Sequence, residues 1–154
     1  MTGSPPRGYP QHRVVHVPLR DGSTIAVRPV VPEDASGLAA FFGGLSGRSS
    51  HLRFHDTASV SVETMRRFAE VDYRESFSLV AEKGWDAARR LVAVASYFRS
   101  APGRAEMALV VADDLQGLGL GSVLIEHLGE AAAEAGIATF EAEVLAANAD
   151  MLEV

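Results

Sequence analysis

Residues Arg104–Ser122 read RAEMALVVADDLQGLGLGS, and this stretch decides the fold. An apolar run from Ala105 to Ala112 passes through Asp113, Asp114 and Leu115 into QGLGLG, and a helix-patterned segment follows at once. Leu120, Val123, Leu124, Leu128, Ala131 and Ala135 recur at steps of three and four, as on an amphipathic helix. Gly136 is placed as its C-terminal stop. Gly117, Gly119 and Gly121 leave the bend without side-chain cover, so a bulky anion can approach the backbone closely. The helix starting there aims unpaired N–H groups and its positive dipole end at the same spot. A phosphate-bearing ligand is therefore expected.

Outward from this stretch, strand and helix patterns alternate. Val14–Leu19 and Ser23–Pro29 are apolar runs around Arg20, Asp21 and Gly22, a hairpin signal. Pro32, Glu33 and Asp34 open a helix carrying Leu38, Phe41, Phe42 and Leu45 at helical spacing. Ser46–Ser50 forms a polar loop, and Ser61 caps a second helix whose face holds Met65, Phe68 and Ala69. Strands are expected from Ser76, over Leu91–Phe98, over Ala105–Ala112 and over Thr139–Leu145, with Asn148 capping a last helix. The order predicts one α/β (α+β) domain.

Composition sets limits. Hydrophobic residues are 47% of 154, enough for one packed core. No apolar run is long enough to span a bilayer, and no apolar signal region precedes the domain, so a cytoplasmic protein without membrane partners is expected. A formal charge of −6 argues against a nucleic-acid partner. Without cysteine there is no disulfide, zinc–thiolate site or thiol nucleophile. Residues 1–13 (MTGSPPRGYPQHR) read as a flexible leader, with the domain over 14–154.

Several glycine-rich sites compete. A P-loop needs Gly-Lys followed by Ser or Thr, which the chain lacks. A dinucleotide turn needs G-x-G-x-x-G close to the strand, whereas here the third glycine comes one residue early and an acidic stretch intervenes. A tight strand–helix turn without ligand remains an alternative. Gln116, Gly119 and Gly121 resemble Q-x-x-G-x-G, the acyl-CoA diphosphate loop of the GNAT acetyltransferases. The ordered set LRDG (Leu19–Gly22), Arg28-Pro29, Pro32–Asp34, Leu45-Ser46, Arg53-Phe54, Val71–Tyr73 and Ala105–Ala108 further resembles the bacterial Pat-type protein lysine acetyltransferases.

This resemblance implies a GNAT fold with a mixed, mostly antiparallel central sheet flanked by helices. It implies acetyl-CoA as acyl donor, with the amides of Gly117, Leu118, Gly119, Leu120, Gly121 and Ser122 on the diphosphate beside Gln116. The preceding strand bulges and splays in that family, so Leu109, Val110 and Val111 are expected to meet the pantetheine arm by backbone, with Asn148 facing it. The usual acceptor is a lysine of an AMP-forming acyl-CoA synthetase, which the modification inactivates, and the domain is usually fused to a large acyl-CoA-synthetase-like domain absent from this sequence. Val154 lies just inside the last expected helix, and a GNAT fold continues through that helix and two more strands, so the fold is expected to be incomplete at its C-terminus.

Acyl transfer needs a neutral amine, and a free lysine with pKa ~10.4 supplies little at neutral pH. Glu106 is the candidate general base. It matches the family's AE[FIVM]A segment and shares a strand face with Ala108 and Val110. Burial there would raise its proton affinity; a solvated strand-end glutamate is the plain alternative. The family's usual tyrosine acid is missing, since no tyrosine follows Asn148. His51 and His55 lie four apart without an evident third ligand, so no metal is assigned, and His55 stays a rival base. Asp72, Tyr73 and Glu75 either meet the acceptor or form a polar strand entry. Alternatives to lysine acetylation are acetylation of a small-molecule amine and a non-catalytic acyl-CoA sensor.

Overall fold

The computed structural model describes residues 4–45, 61–84 and 86–142. Its six strands are β1 (Val15–Pro18), β2 (Thr24–Pro29), β3 (Ser76–Lys83), β4 (Arg90–Ala101), β5 (Arg104–Val111) and β6 (Thr139–Glu141). They form one sheet in sequence order. Every neighbouring pair is antiparallel except β5–β6, which is parallel. The helices among the described residues are α1 (Ala35–Gly43), α2 (Val62–Ala69) and α3 (Leu120–Glu134). The sheet is thus mixed and mostly antiparallel, as expected. Among the described residues no helix is long and apolar enough to cross a membrane.

Local chemistry sets the element ends. Pro32–Asp34 form a short 3₁₀ turn that leads into α1. The Ser61 hydroxyl accepts from the Thr64 N–H at 3.1 Å, capping α2 as expected. α3 ends in a paired closure: the N–H of Gly136 donates to Ala133 and that of Ile137 to Ala132, with Gly136 at φ 80°. The strand expected over Thr139–Leu145 is described only to Glu141, and its remainder from residue 143 lies outside the described residues.

The two sheet faces are covered by different helices. Leu109 of β5 lies beneath Gly121 of α3, and the Arg99 guanidinium of β4 donates to the Ala135 carbonyl at the end of α3. On the other face the Phe98 ring meets Phe68 of α2 at 6.2 Å. Buried Leu120, Leu124 and Leu128 line α3, and buried Leu38, Phe41 and Phe42 line α1. Each such side chain contributes about 1.5–3 kcal/mol when removed from water.

Part of the expected leader belongs to this fold. Gln11–Arg13 form one 3₁₀ turn, and Arg13, only 8% exposed, pairs with Glu130 at 3.2 Å and Glu134 at 2.8 Å on α3. The Tyr9 hydroxyl donates to the Pro29 carbonyl at 3.0 Å, and its ring meets Tyr73 edge-on at 5.6 Å. These partners lie far along the chain, so a proline- and glycine-rich composition gave no sign of them.

Candidate functional site

The site begins at the outer edge of β5. Pairing with β4 runs unbroken from Ala93↔Val111 to Phe98↔Glu106, so the expected bulge is absent here. The N–H of Ala112 donates to Val92 at 2.8 Å. Antiparallel alternation then turns the backbone groups of residues 110, 108 and 106 toward β4, and those of 107, 109 and 111 away from it. Among the described residues β6 pairs with β5 at Arg104↔Thr139, Ala105↔Phe140 and Glu106↔Glu141. Beyond Glu106, Met107 and Leu109 therefore present N–H and C=O groups along an edge that no described strand occupies. Among the described residues β6 ends at Glu141, and beyond that point the edge is uncovered without a bulge in β5. The expected backbone contact of Val110 is corrected: its polar groups face Val94 of β4. Met107 was not singled out by sequence, because which residues face outward depends on the pairing phase.

The bend after β5 is shaped by its glycines. A 3₁₀ turn over Asp113–Leu115 buries Leu115 and lifts the chain off the sheet. Gly117 at φ 82° and Gly119 at φ 91° occupy the left-handed region, which costs an L-residue roughly 1–2 kcal/mol. A Cβ on Gly121 would stand 3.4 Å from Leu109 Cδ2, so glycine lets α3 start close against β5. Leu120 is buried, Leu118 half-buried and Ser122 exposed. The first helical bond runs from Val123 N–H to Gly119, leaving the amides of Leu120, Gly121 and Ser122 without intrahelical acceptors. The Gln116 amide donates to the Val111 carbonyl at 3.1 Å, so this exposed side chain braces the bend. Arg20, from the β1–β2 turn, lies over the bend with Nη1 3.4 Å from the Gly117 carbonyl. No spacing in the sequence pointed to it.

Glu106 lies on the face shared with Phe98, opposite that residue in register and beside Glu141 of β6. It is exposed, so the burial expected of it is not found. It pairs with Glu141, the last described residue of β6. Asn148, His51 and His55 lie outside the described residues. Among the described residues no group of His, Asp or Glu is arranged to hold a metal.

Asp72, Tyr73 and Glu75 each have partners within the fold. Asp72 accepts from the N–H groups of Arg74, Glu75 and Ser76 at 2.8–3.0 Å. Burial pushes its carboxyl up, but the amides of Ser76, Arg74 and Glu75 outweigh this and hold it below its ordinary value. Tyr73 donates to the Val30 carbonyl at 2.8 Å, and burial pushes its phenol up to about 12. Glu75 pairs with Arg99 at 2.8 Å.

Together the free edge and the uncovered amides suit an extended ligand with two kinds of polar group. Outward N–H and C=O groups take amides as an added strand would. Successive main-chain N–H groups at a helix start take a phosphate anion. Acetyl-CoA, with an amide-bearing arm and a diphosphate, fits both.

The model of the Acetyltransferase (GNAT) family matches residues 49–154. The chain is 32% identical over 138 residues to acetyltransferase PA5475 of Pseudomonas aeruginosa, covering 88% of this chain and 74% of that protein. It is 30% identical over 142 residues to acetyltransferase Pat of Mycolicibacterium smegmatis, covering 91% of this chain but 42% of that protein. Its fold superposes on the crystal structure of the GNAT domain of S. lividans PAT with a TM-score of 0.83 at 35% identity, over 94% of this chain and 86% of that one. The strand–glycine bend–helix unit, the edge beside it and these similarities agree: the chain belongs to the GNAT family of acetyltransferases, which take their acyl group from acetyl-CoA.

Proposed function

We propose that the protein transfers acetyl from acetyl-CoA to the side-chain amine of a protein lysine, with AMP-forming acyl-CoA synthetases as the acceptor class. The observation that carries this reading is the edge of β5 from Met107 to the glycine bend, which no described strand covers. Similarity to Pat and to the PAT domain supports the choice of acceptor. The acting unit is the stretch 14–154 together with the docked segment that carries Tyr9 and Arg13.

In this reading the acyl arm runs along the edge from the glycine bend to Leu109, with the thioester carbonyl at the Leu109 N–H and the acceptor entering from the Glu106 side. The acceptor nitrogen forms its bond to the acyl carbon as the carbon–sulfur bond breaks, and the electron pair leaves on sulfur. The Leu109 N–H meets the charge gained by the carbonyl oxygen. Glu106 takes the amine proton, directly or through water. A lysine near pKa 10.4 and a carboxylate near 4.3 differ by about six units, roughly 8 kcal/mol uphill. Phe98 beside Glu106 is 39% exposed. A protein acceptor covers both residues and strips water from them, which a small amine does not, and this narrows the gap.

The test offers acetyl-CoA together with an acyl-CoA synthetase, or with polyamines and aminoglycosides. Acetyl-lysine on the synthetase, found by mass spectrometry with loss of its activity, is expected. Transfer confined to the small amines, or to nothing, would overturn the proposal.

A further inference from the structure

Arg20 sits in the turn between β1 and β2, within the LRDG stretch that acyl transfer leaves without a role. The turn is built to hold one shape. The Asp21 carboxylate accepts from the Ser23 N–H at 2.9 Å and from its hydroxyl at 2.6 Å. The Leu19 N–H donates to the Ser23 carbonyl at 2.8 Å, the Gly22 N–H to the Leu19 carbonyl at 3.0 Å, and Gly22 takes φ 88°. Leu19 is buried and anchors the turn.

Asp21 is thus engaged within its own turn, and among the described residues no carboxylate pairs with the Arg20 guanidinium. Arg90, near the start of the same bend, differs: it pairs with Asp114 at 2.8 Å. Arg20 reaches Gly117, 97 positions away, through a long 3.4 Å bond, and its Nε lies 3.7 Å from where a Cβ on Gly119 would stand. A braced turn therefore sets an exposed, uncompensated cation against the two left-handed glycines of the bend.

We propose that Arg20 is a coenzyme-binding residue, whose guanidinium gives the diphosphate its side-chain positive charge while the amides of residues 118–122 hold it from below. The proposal rests on reading the bend as the acyl-CoA diphosphate site. Main-chain N–H groups offer only partial charges, whereas a guanidinium offers a full charge and several donors in a fixed fork. The weak bond to a neutral carbonyl is readily exchanged for charge-assisted bonds to phosphate oxygens. Being exposed, this attraction weakens with salt.

The test titrates the wild-type chain, Arg20→Gln and Arg20→Lys with acetyl-CoA, 3′-dephospho-acetyl-CoA and S-acetylpantetheine, alongside melting curves. Hydrogen bonds to charged groups predict that Arg20→Gln weakens both coenzymes by a similar factor of about 10–100. It should leave acetylpantetheine binding and the melting temperature unchanged and flatten the salt dependence, with Arg20→Lys recovering part of the loss. Equal affinity of wild type and Arg20→Gln for both coenzymes would overturn the role of Arg20 alone. A loss seen with acetyl-CoA but not with its dephospho form would move the contact to the 3′-phosphate and so overturn the assignment. A wild-type chain that binds neither coenzyme would bring down the reading of the bend itself, and this proposal with it.

Discussion

Gln116 Nε2 stands 3.1 Å from the carbonyl oxygen of Val111, five residues earlier, and this bond ties the glycine bend to the last residue of β5. The carbonyl it occupies is one that alternation turns away from β4. The amides expected to hold the diphosphate and the strand edge expected to hold the acyl arm are thereby joined into one body.

Removing that tie should loosen coenzyme binding modestly. A neutral hydrogen bond contributes about 0.5–1.5 kcal/mol, so Gln116→Ala is expected to weaken acetyl-CoA by roughly 3–10-fold. Gln116→Glu should do worse, since a carboxylate would face the Val111 carbonyl and Asp113 Oδ1, now 3.5 Å from the amide nitrogen. Calorimetric titration of both variants checks the order; an Ala variant with wild-type affinity would show the tie to be dispensable.

The two glycines flanking the start of α3 should respond differently to alanine. Gly119 sits at φ 91°, so Gly119→Ala is expected to cost about 1–2 kcal/mol. For a domain of this size that lowers the melting temperature by roughly 2–8 °C. Gly121 has ordinary backbone angles, and its new Cβ would meet only the flexible end of Leu109 at 3.4 Å. Gly121→Ala should melt closer to wild type, and the reverse order in a thermal scan would contradict the backbone argument.

Glu106→Gln tests the proton acceptor. Turnover is expected to fall about 100-fold or more while acetyl-CoA affinity holds, because the lost group serves the transferring proton and not the coenzyme. Rapid-quench rates and titration separate the two quantities. Full activity in the glutamine variant would remove Glu106 from the reaction.

Acid should expose the role of Asp72. Its folded-state carboxyl is held below its ordinary value of 3.8, so its contribution to stability is present above that value and disappears as pH falls through the lower, folded one. Wild-type stability is therefore expected to drop below about pH 4 more steeply than that of Asp72→Asn. Urea denaturation between pH 2.5 and 7 reads the difference; parallel curves would assign no such role to the three amides.

What could be read from sequence was local. Ser61 caps α2 because a hydroxyl reaches an amide three residues on, and Gly136 ends α3 because one residue must turn left-handed. Asp21-Gly22 marks the hairpin for the same kind of reason. The bend at Gln116–Gly121 was legible too, since strand, glycines and helix are contiguous. What escaped notice depends on partners that sequence does not place side by side. The phase of β5 pairing decides that Met107 and Leu109, not Val110, face outward, and the reach of β6 decides where the edge opens. Arg20 meets the bend across 97 positions. Tyr9 and Arg13 find Pro29, Tyr73 and α3 across gaps that composition hides. The exposure of Glu106 depends on which strands and side chains surround it, which no motif encodes.

The docking of Tyr9 on Pro29 and Tyr73 has a practical corollary. Pro29 closes β2 at the end of the sheet opposite the Arg20 turn, five residues or about 17 Å from the strand's start. A biotin or dye attached ahead of Tyr9 would therefore emerge remote from the phosphate end of the groove. Anchoring the molecule to a sensor chip by that handle leaves the coenzyme's path unobstructed for measuring its arrival and departure rates.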